Sequence, residues 1–172
     1  GAVPSNPAIS QAINIIAAGD LTISAGNIGG AVTNAGDLIL TGGTLSKVVS
    51  GAGLTTISGN TTNNGGINQA VKVNSGVTLA NNAALGSANG AITNAGTINS
   101  NADYIKGTVA NSGSLNLSGG TLSKAVSGSG TTNITGNTTN NAGINQGVNI
   151  NNGVTLTNNA ALGSDSGKIT NA

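Results

Sequence analysis

The stretch T-N-A-G-D-L-I-L-T-G-G at 33–43 decides how this chain is read. After Gly36 come two apolar residues spaced two apart, Leu38 and Leu40, and Gly42 and Gly43 close the run. A period of two marks a strand with one buried face, and five residues between glycine corners make that strand short. The phrase recurs. A glycine precedes a short alternating segment at Gly19, Gly36, Gly53, Gly76, Gly96, Gly113, Gly130 and Gly153. The alternating pairs are Leu21/Ile23, Leu38/Leu40, Thr55/Ile57, Val77/Leu79, Ile98/Ser100, Leu115/Leu117, Thr132/Ile134 and Val154/Leu156.

The spacings between these glycines run 17, 17, 23 and 20 residues, then 17, 17 and 23. One set of four spans 77 residues, and at that offset the chain repeats itself. Residues 19–95 and 96–172 align without a gap, with 49 identical positions. GGTLSK at 42–47 returns at 119–124, and GNTTNN at 59–64 returns at 136–141. Short strands at this spacing with near-identical turns fit a coil that stacks on itself. The expected fold is all-β: a parallel β-helix, or β-solenoid, of about eight or nine rungs, with four coils in each 77-residue repeat. Rungs stack at about 4.8 Å, which gives a rod about 40 Å long. Leu38, Leu40, Ile57, Leu79, Leu115, Leu117, Ile134 and Leu156 are expected to point inward. Gly and Asn suit the corners because they tolerate positive φ. Helix is disfavoured, since Gly and Asn interrupt every candidate window.

The pattern reaches back to residue 9. ISQAINI at 9–15 resembles INQAVKV at 67–73 and INQGVNI at 144–150. The solenoid is therefore expected over 9–172, with 1–8, which holds Pro4 and Pro7, as an N-terminal arm or cap. The chain stops at ITNA, 169–172, where a further unit would begin with Gly. An open last rung invites pairing. The expectation is a segment cut from a longer array, or a subunit whose open end meets another chain.

Composition bounds the job. There is one aromatic residue, Tyr104, and no Phe, Trp, Met, Cys, His, Arg or Glu. Without aromatics to fill volume, a thin core is favoured over a thick one. Five Lys and four Asp leave a net charge of +1. No two Lys cluster, which argues against nucleic acid and against anionic lipid as partners. The most apolar stretch, 12–18, is too short to span a bilayer, and no basic start precedes it to make a signal peptide. Zero Cys excludes disulfides and thiolate metal sites. His-dependent triads are impossible, and none of Asp20, Asp37, Asp103 and Asp165 has an Asp at the equivalent place in the other copy. No catalytic residue, cofactor site or metal site is expected, and the chain reads as a non-enzyme.

Four features are candidate sites. Asp20 and Asp37 follow corner glycines in neighbouring coils, where two carboxylates can hold Ca²⁺. The second copy has Thr97 and Ser114 there, which favours solvated turn residues. Lys47 and Lys124 are the only charge shared by both copies; they read as gatekeepers that keep a β-rich rod from pairing laterally, ahead of contacts to an acidic partner. Tyr104 has no counterpart, since Asn27 takes its place; it reads as surface variation ahead of a contact hot spot. The Asn-rich stretches 60–64 and 137–141 suit amide ladders, or a carbohydrate-binding or ice-facing surface. The outward positions mix Thr22, Ile39, Thr56, Thr78, Asn99, Asn116, Asn133 and Thr155, too irregular for an ice-binding threonine array.

The phrases TNAGDLIL, TNAGTINS and ANSGSLNL, with GNTTNN and NSGVTL, resemble passenger regions of bacterial type V secretion proteins, the autotransporters and filamentous-haemagglutinin-like adhesins. The near-identical repeats with Lys but no Arg are also similar to repeat blocks of rickettsial surface antigens. The resemblance covers the chain from about Ile9. It implies a right-handed parallel β-helix outside an outer membrane, acting as stalk or adhesin, with no protease or lipase motif to carry over. The expected role is a non-catalytic extracellular segment on a bacterial cell surface, a rigid stalk or adhesin, with a host or neighbouring cell as partner. The alternative is a self-assembling extracellular fibre subunit, stacked end to end. A carbohydrate- or ice-binding solenoid is the third reading.

Overall fold

In a computed structural model, which describes residues 8–164 and 167–172, the chain is a parallel β-solenoid of about nine turns. The arm expected over 1–8 and the residue Asp165 lie outside the described residues, apart from the exposed Ala8. The cross-section is three-sided. Face A begins with Ile13–Ile15 and Val32–Asn34, face B with Asp20–Ile23 and Asp37–Leu40, and face C with Ile28 and Gly43–Leu45. Each strand pairs in parallel with the strand one coil below, so residues about 18 apart in sequence lie one rung apart in space. Among the described residues no helix is long and apolar enough to cross a membrane.

The inward positions are those the alternation marked. Leu38, Leu40, Ile57, Leu79, Leu115, Leu117 and Ile134 are fully buried. Leu156 is half-buried, because no full coil of this chain covers it. The core is one continuous aliphatic column, with Val49, Ile67, Ile92, Val109, Val126 and Ile144 completing it.

The coil count within the repeat differs from the expected four. The interval from Gly53 to Gly76 holds four faces, not three. Ile67–Val73 turns a corner without a glycine, so its Ala70–Val73 half already stacks on Leu54–Ile57 of face B. Thr78–Asn81 is thereby carried on to face C, where Leu79 stacks on Thr61 and under Ile98. Each 77-residue unit is four turns plus one further face. Repeat two is consequently turned a third of a circle relative to repeat one. Gly43–Leu45 lies on face C, but its copy Gly120–Leu122 lies on face A, paired with Thr138–Asn140.

Two corner devices also differ from expectation. Most glycines that open the strands are not there for positive φ. A Cβ on Gly36 would sit 2.1 Å from the Gly19 carbonyl oxygen, and one on Gly113 would sit 2.0 Å from that of Gly96. Successive coils touch backbone to backbone at this corner, and only glycine fits. Nor do the corner asparagines adopt positive φ; among the described residues only Ala18 does so without being glycine. Their side chains point inward and staple the corner. Buried Asn94 accepts from the Gly96 N–H through Oδ1 (3.2 Å) and donates through Nδ2 to Asn111 Oδ1 (2.7 Å) and the Ser114 carbonyl (2.9 Å). Asn63 does the same work, accepting from Gly66 N–H and donating to Asn81 Oδ1 (2.7 Å), while Asn81 Nδ2 donates in turn to Ser100 Oγ (2.9 Å). Corner carbonyls and N–H groups that a thin core would leave dry are satisfied one coil at a time.

Candidate functional site

The lower half of face C carries an outward column unlike its counterpart in repeat one. Here Thr97–Ser100, Ser114–Leu117, the end of Val126–Ile134 and the end of Ile144–Ile150 stack in register. Their buried residues alternate with outward ones, and one outward column reads Asn99, Asn116, Asn133, Asn149. The four amides form a ladder: Asn116 Nδ2 donates to Asn99 Oδ1 (2.7 Å), Asn133 to Asn116 (2.7 Å) and Asn149 to Asn133 (3.0 Å). Four rungs at about 4.8 Å spread the ladder over about 14 Å.

Its upper three rungs, Asn99, Asn116 and Asn133, floor an open groove of about 550 Å³. Tyr104 flanks it, carried by the short 3-10 turn Ala102–Tyr104 that replaces a strand at this corner. The turn is held by Asn101, whose Oδ1 accepts from Asp103 N–H (2.9 Å), and by Tyr104 N–H donating to the Asn101 carbonyl (3.1 Å). Tyr104 remains 39% exposed. Ser118, Thr135 and Asn151 complete the rim, and no lining residue carries a charge. Asp103 turns away, its carboxylate accepting from Thr121 N–H on the next coil.

Each amide has two N–H donors and an oxygen with two lone pairs. The ladder uses one donor and one lone pair at each inner rung, so one of each is left over beside the groove. Asn99 keeps both N–H groups beyond the ladder, because Ala80 occupies the rung above it. The array offers alternating donors and acceptors at rung spacing, without charge.

The other candidate residues are dispersed. Asp20 and Asp37 do stack in register, both exposed, but the next rung of that column is Leu54. Among the described residues no group of three or more metal-ligating His, Cys, Asp or Glu exists. Lys47 and Lys124 lie on surfaces a third of a turn apart and so do not form one patch; Lys47 is exposed, and Lys124 half-buried. The Asn-rich stretches serve structure: Asn63 and Asn140 are buried staples, while Asn64 and Asn141 pair outward with Asn82 and Asn159 at 2.9 Å. Of the outward positions, Thr22, Ile39 and Thr56 form a column with Lys72 on face B, Asn99, Asn116 and Asn133 join Asn149 in the ladder on face C, and Thr78 and Thr155 lie in neither column.

The ladder was hidden in the sequence because its members stand 16 or 17 residues apart, one to a coil. A signal was present in the comparison of the copies. The positions of Asn99, Asn116, Asn133 and Asn149 are those of Thr22, Ile39, Thr56 and Lys72 in repeat one. No family model, curated protein or solved structure matches this chain.

Proposed function

We propose that this chain is a non-catalytic extracellular structural repeat on a bacterial surface, a rigid stalk segment that holds more distal parts of an adhesin away from the cell. The observation that carries this reading is the unbroken bonding between successive coils: parallel ladders on the faces, one aliphatic column inside, and asparagine staples at the corners. In a solenoid each rung contacts only its neighbours, so reach grows linearly with repeat number while stiffness is set by the rung interface. The gapless 77-residue period shared by the two repeats fits selection for length. The resemblance of the TNAGDLIL-type corners to type V passengers supports the surface location.

The test is location and shape together. Antibody raised to the chain should label intact cells that produce it, and protease added outside should remove the label. Labelling that requires permeabilised cells would overturn the surface location. Small-angle scattering should give a rod whose long axis grows in proportion when a further 77-residue unit is fused. A compact particle would overturn the stalk.

A further inference from the structure

We propose that the asparagine-floored groove on face C binds a neutral, unbranched oligosaccharide, with Asn99, Asn116 and Asn133 reading ring hydroxyls and Tyr104 covering the apolar face of one sugar ring. Three observations converge. The groove is large enough for a few sugar rings, at about 550 Å³, within the range of small-molecule sites. Its polar groups are free amide donors and acceptors side by side, repeated along the rod, and a sugar hydroxyl both donates and accepts. The only aromatic ring in the chain stands at its edge, partly exposed, apolar in body and polar at its tip.

The internal comparison shows that the scaffold does not need these residues. On face B the same backbone positions carry Thr22, Ile39, Thr56 and Lys72 with the same parallel register. Only 28 positions differ between the repeats, and the ladder takes four of them, all changed to Asn; Tyr104 in place of Asn27 is another. The neighbouring column, Thr97, Ser114, Thr131 and Gly147, also differs at every rung from Asp20, Asp37, Leu54 and Ala70, but only the ladder column changes to a single residue type.

The chemistry excludes the other occupants. A peptide strand adds to a free sheet edge, and this is a sheet face whose backbone groups are already paired along the ladders. A lipid or an apolar helix needs apolar lining, which here amounts to Ala80 and Tyr104. Nucleic acid and sulfated glycans need cations, and the lining has none. The proposal stands apart from the stalk reading: a chain that is not at the cell surface can still bind sugar in vitro, and a pure spacer would not.

The experiment titrates the 172-residue chain with cellotetraose, chitotetraose, maltotetraose and mannotetraose, and with a heparin-derived tetrasaccharide as acidic control. Tyr104 fluorescence and the asparagine side-chain amide resonances report binding. At least one neutral tetramer should saturate, moving the resonances of Asn99, Asn116 and Asn133 together, and heparin should not. The decisive variant converts the groove to the sequence of repeat one: Asn99→Thr, Asn116→Ile, Asn133→Thr, Asn149→Lys and Tyr104→Asn. Repeat one folds with those residues, so circular dichroism should be unchanged while affinity falls by at least about tenfold. Tyr104→Ala alone should weaken binding by about tenfold. Lys72→Ala on face B should leave it unchanged. The proposal is overturned if no neutral tetramer binds at millimolar concentration, or if the folded converted chain binds as well as the parent.

Discussion

Leu38 and Leu115 hold the same place in the 77-residue repeat, both fully buried, yet they lie on different faces of the solenoid. Leu38 stacks between Leu21 and Thr55 on face B; Leu115 stacks between Ile98 and Thr132 on face C. A repeat that turned a whole number of times would place every copy of a surface feature on one side of the rod. Four turns and one face distribute them round it, and three units return to the starting face. For a stalk this spreads Lys47 and Lys124 in different directions, so no lateral seam of like residues builds up along the array.

Paired cysteines check the extra face. The native chain has no Cys, so each introduced pair is alone. Thr62 and Ala80 are register partners, as are Thr56 and Lys72. Rung neighbours lie at about 4.8 Å, inside the Cα range of a disulfide. Thr62→Cys with Ala80→Cys, and Thr56→Cys with Lys72→Cys, should oxidise to internal bridges. Thr56→Cys with Thr78→Cys, the pair that a whole-turn repeat would stack, should stay reduced. Mass spectrometry under mild oxidant reads the three outcomes.

The fold was legible where the signal was local. The Leu38/Leu40 alternation and its copies named the inward residues, because burial on a strand depends only on a two-residue period. What stayed hidden depended on neighbours a coil away. Val71 and Val73 occupy the face B sites expected for Val77 and Leu79, since Ile67–Val73 turns its corner without the glycine that marks other corners. Gly36 and Gly113 suggested positive φ, but the reason for them is a carbonyl of the adjacent coil, which no sequence window contains. The groove was legible only in part: Tyr104 stood out as the sole aromatic, whereas the asparagine ladder emerges only when four coils are laid in register.

The core assignment predicts a large asymmetry between faces. Leu40→Asp or Leu117→Asp puts a charge with no partner into a dry aliphatic column and should cost at least about 3 kcal/mol, with loss of several rungs. Lys47→Ala removes an exposed charge and should stay within about 0.5 kcal/mol. Denaturant melts compare them directly; equal losses would reverse the inward and outward assignment.

The asparagine staple predicts an unusual pH response. Asn94→Ala removes three hydrogen bonds and leaves the Gly96 N–H and Asn111 Oδ1 without their partner, which should cost about 2–3 kcal/mol. Asn94→Asp keeps the acceptor for Gly96 but turns a carboxylate oxygen toward Asn111 Oδ1 and the Ser114 carbonyl. Burial and those oxygens raise the folded-state pKa of the new acid above its unfolded value. Such a group binds more protons folded than unfolded, so the variant should gain stability as pH falls through that folded pKa, opposite to a salt-bridged aspartate. Melting across acid to neutral pH checks the sign; a variant most stable at neutral pH would mean that Asn94 does not donate into the core.

Two glycines separate crowding from backbone conformation. Gly113 opens a strand with ordinary φ, and a Cβ there would lie 2.0 Å from the Gly96 carbonyl oxygen, which cannot move without breaking the contact between coils. Gly113→Ala should therefore destabilise by about 1–3 kcal/mol, the range for inserting carbon into a packed interior, and it should do so at the top of that range because the obstacle is backbone. Gly76 has φ of +75° and nothing within 4 Å of the added carbon. Gly76→Ala faces only the left-handed penalty of about 1–2 kcal/mol. Asparagine tolerates that conformation far better than alanine, so Gly76→Asn should recover much of the loss. Gly113→Asn should not, because its Cβ meets the same carbonyl. Melting temperatures of the four variants decide the matter: rescue by Asn at Gly76 alone places the two glycines in different physical classes, and rescue at both would mean that the coils do not touch at Gly113.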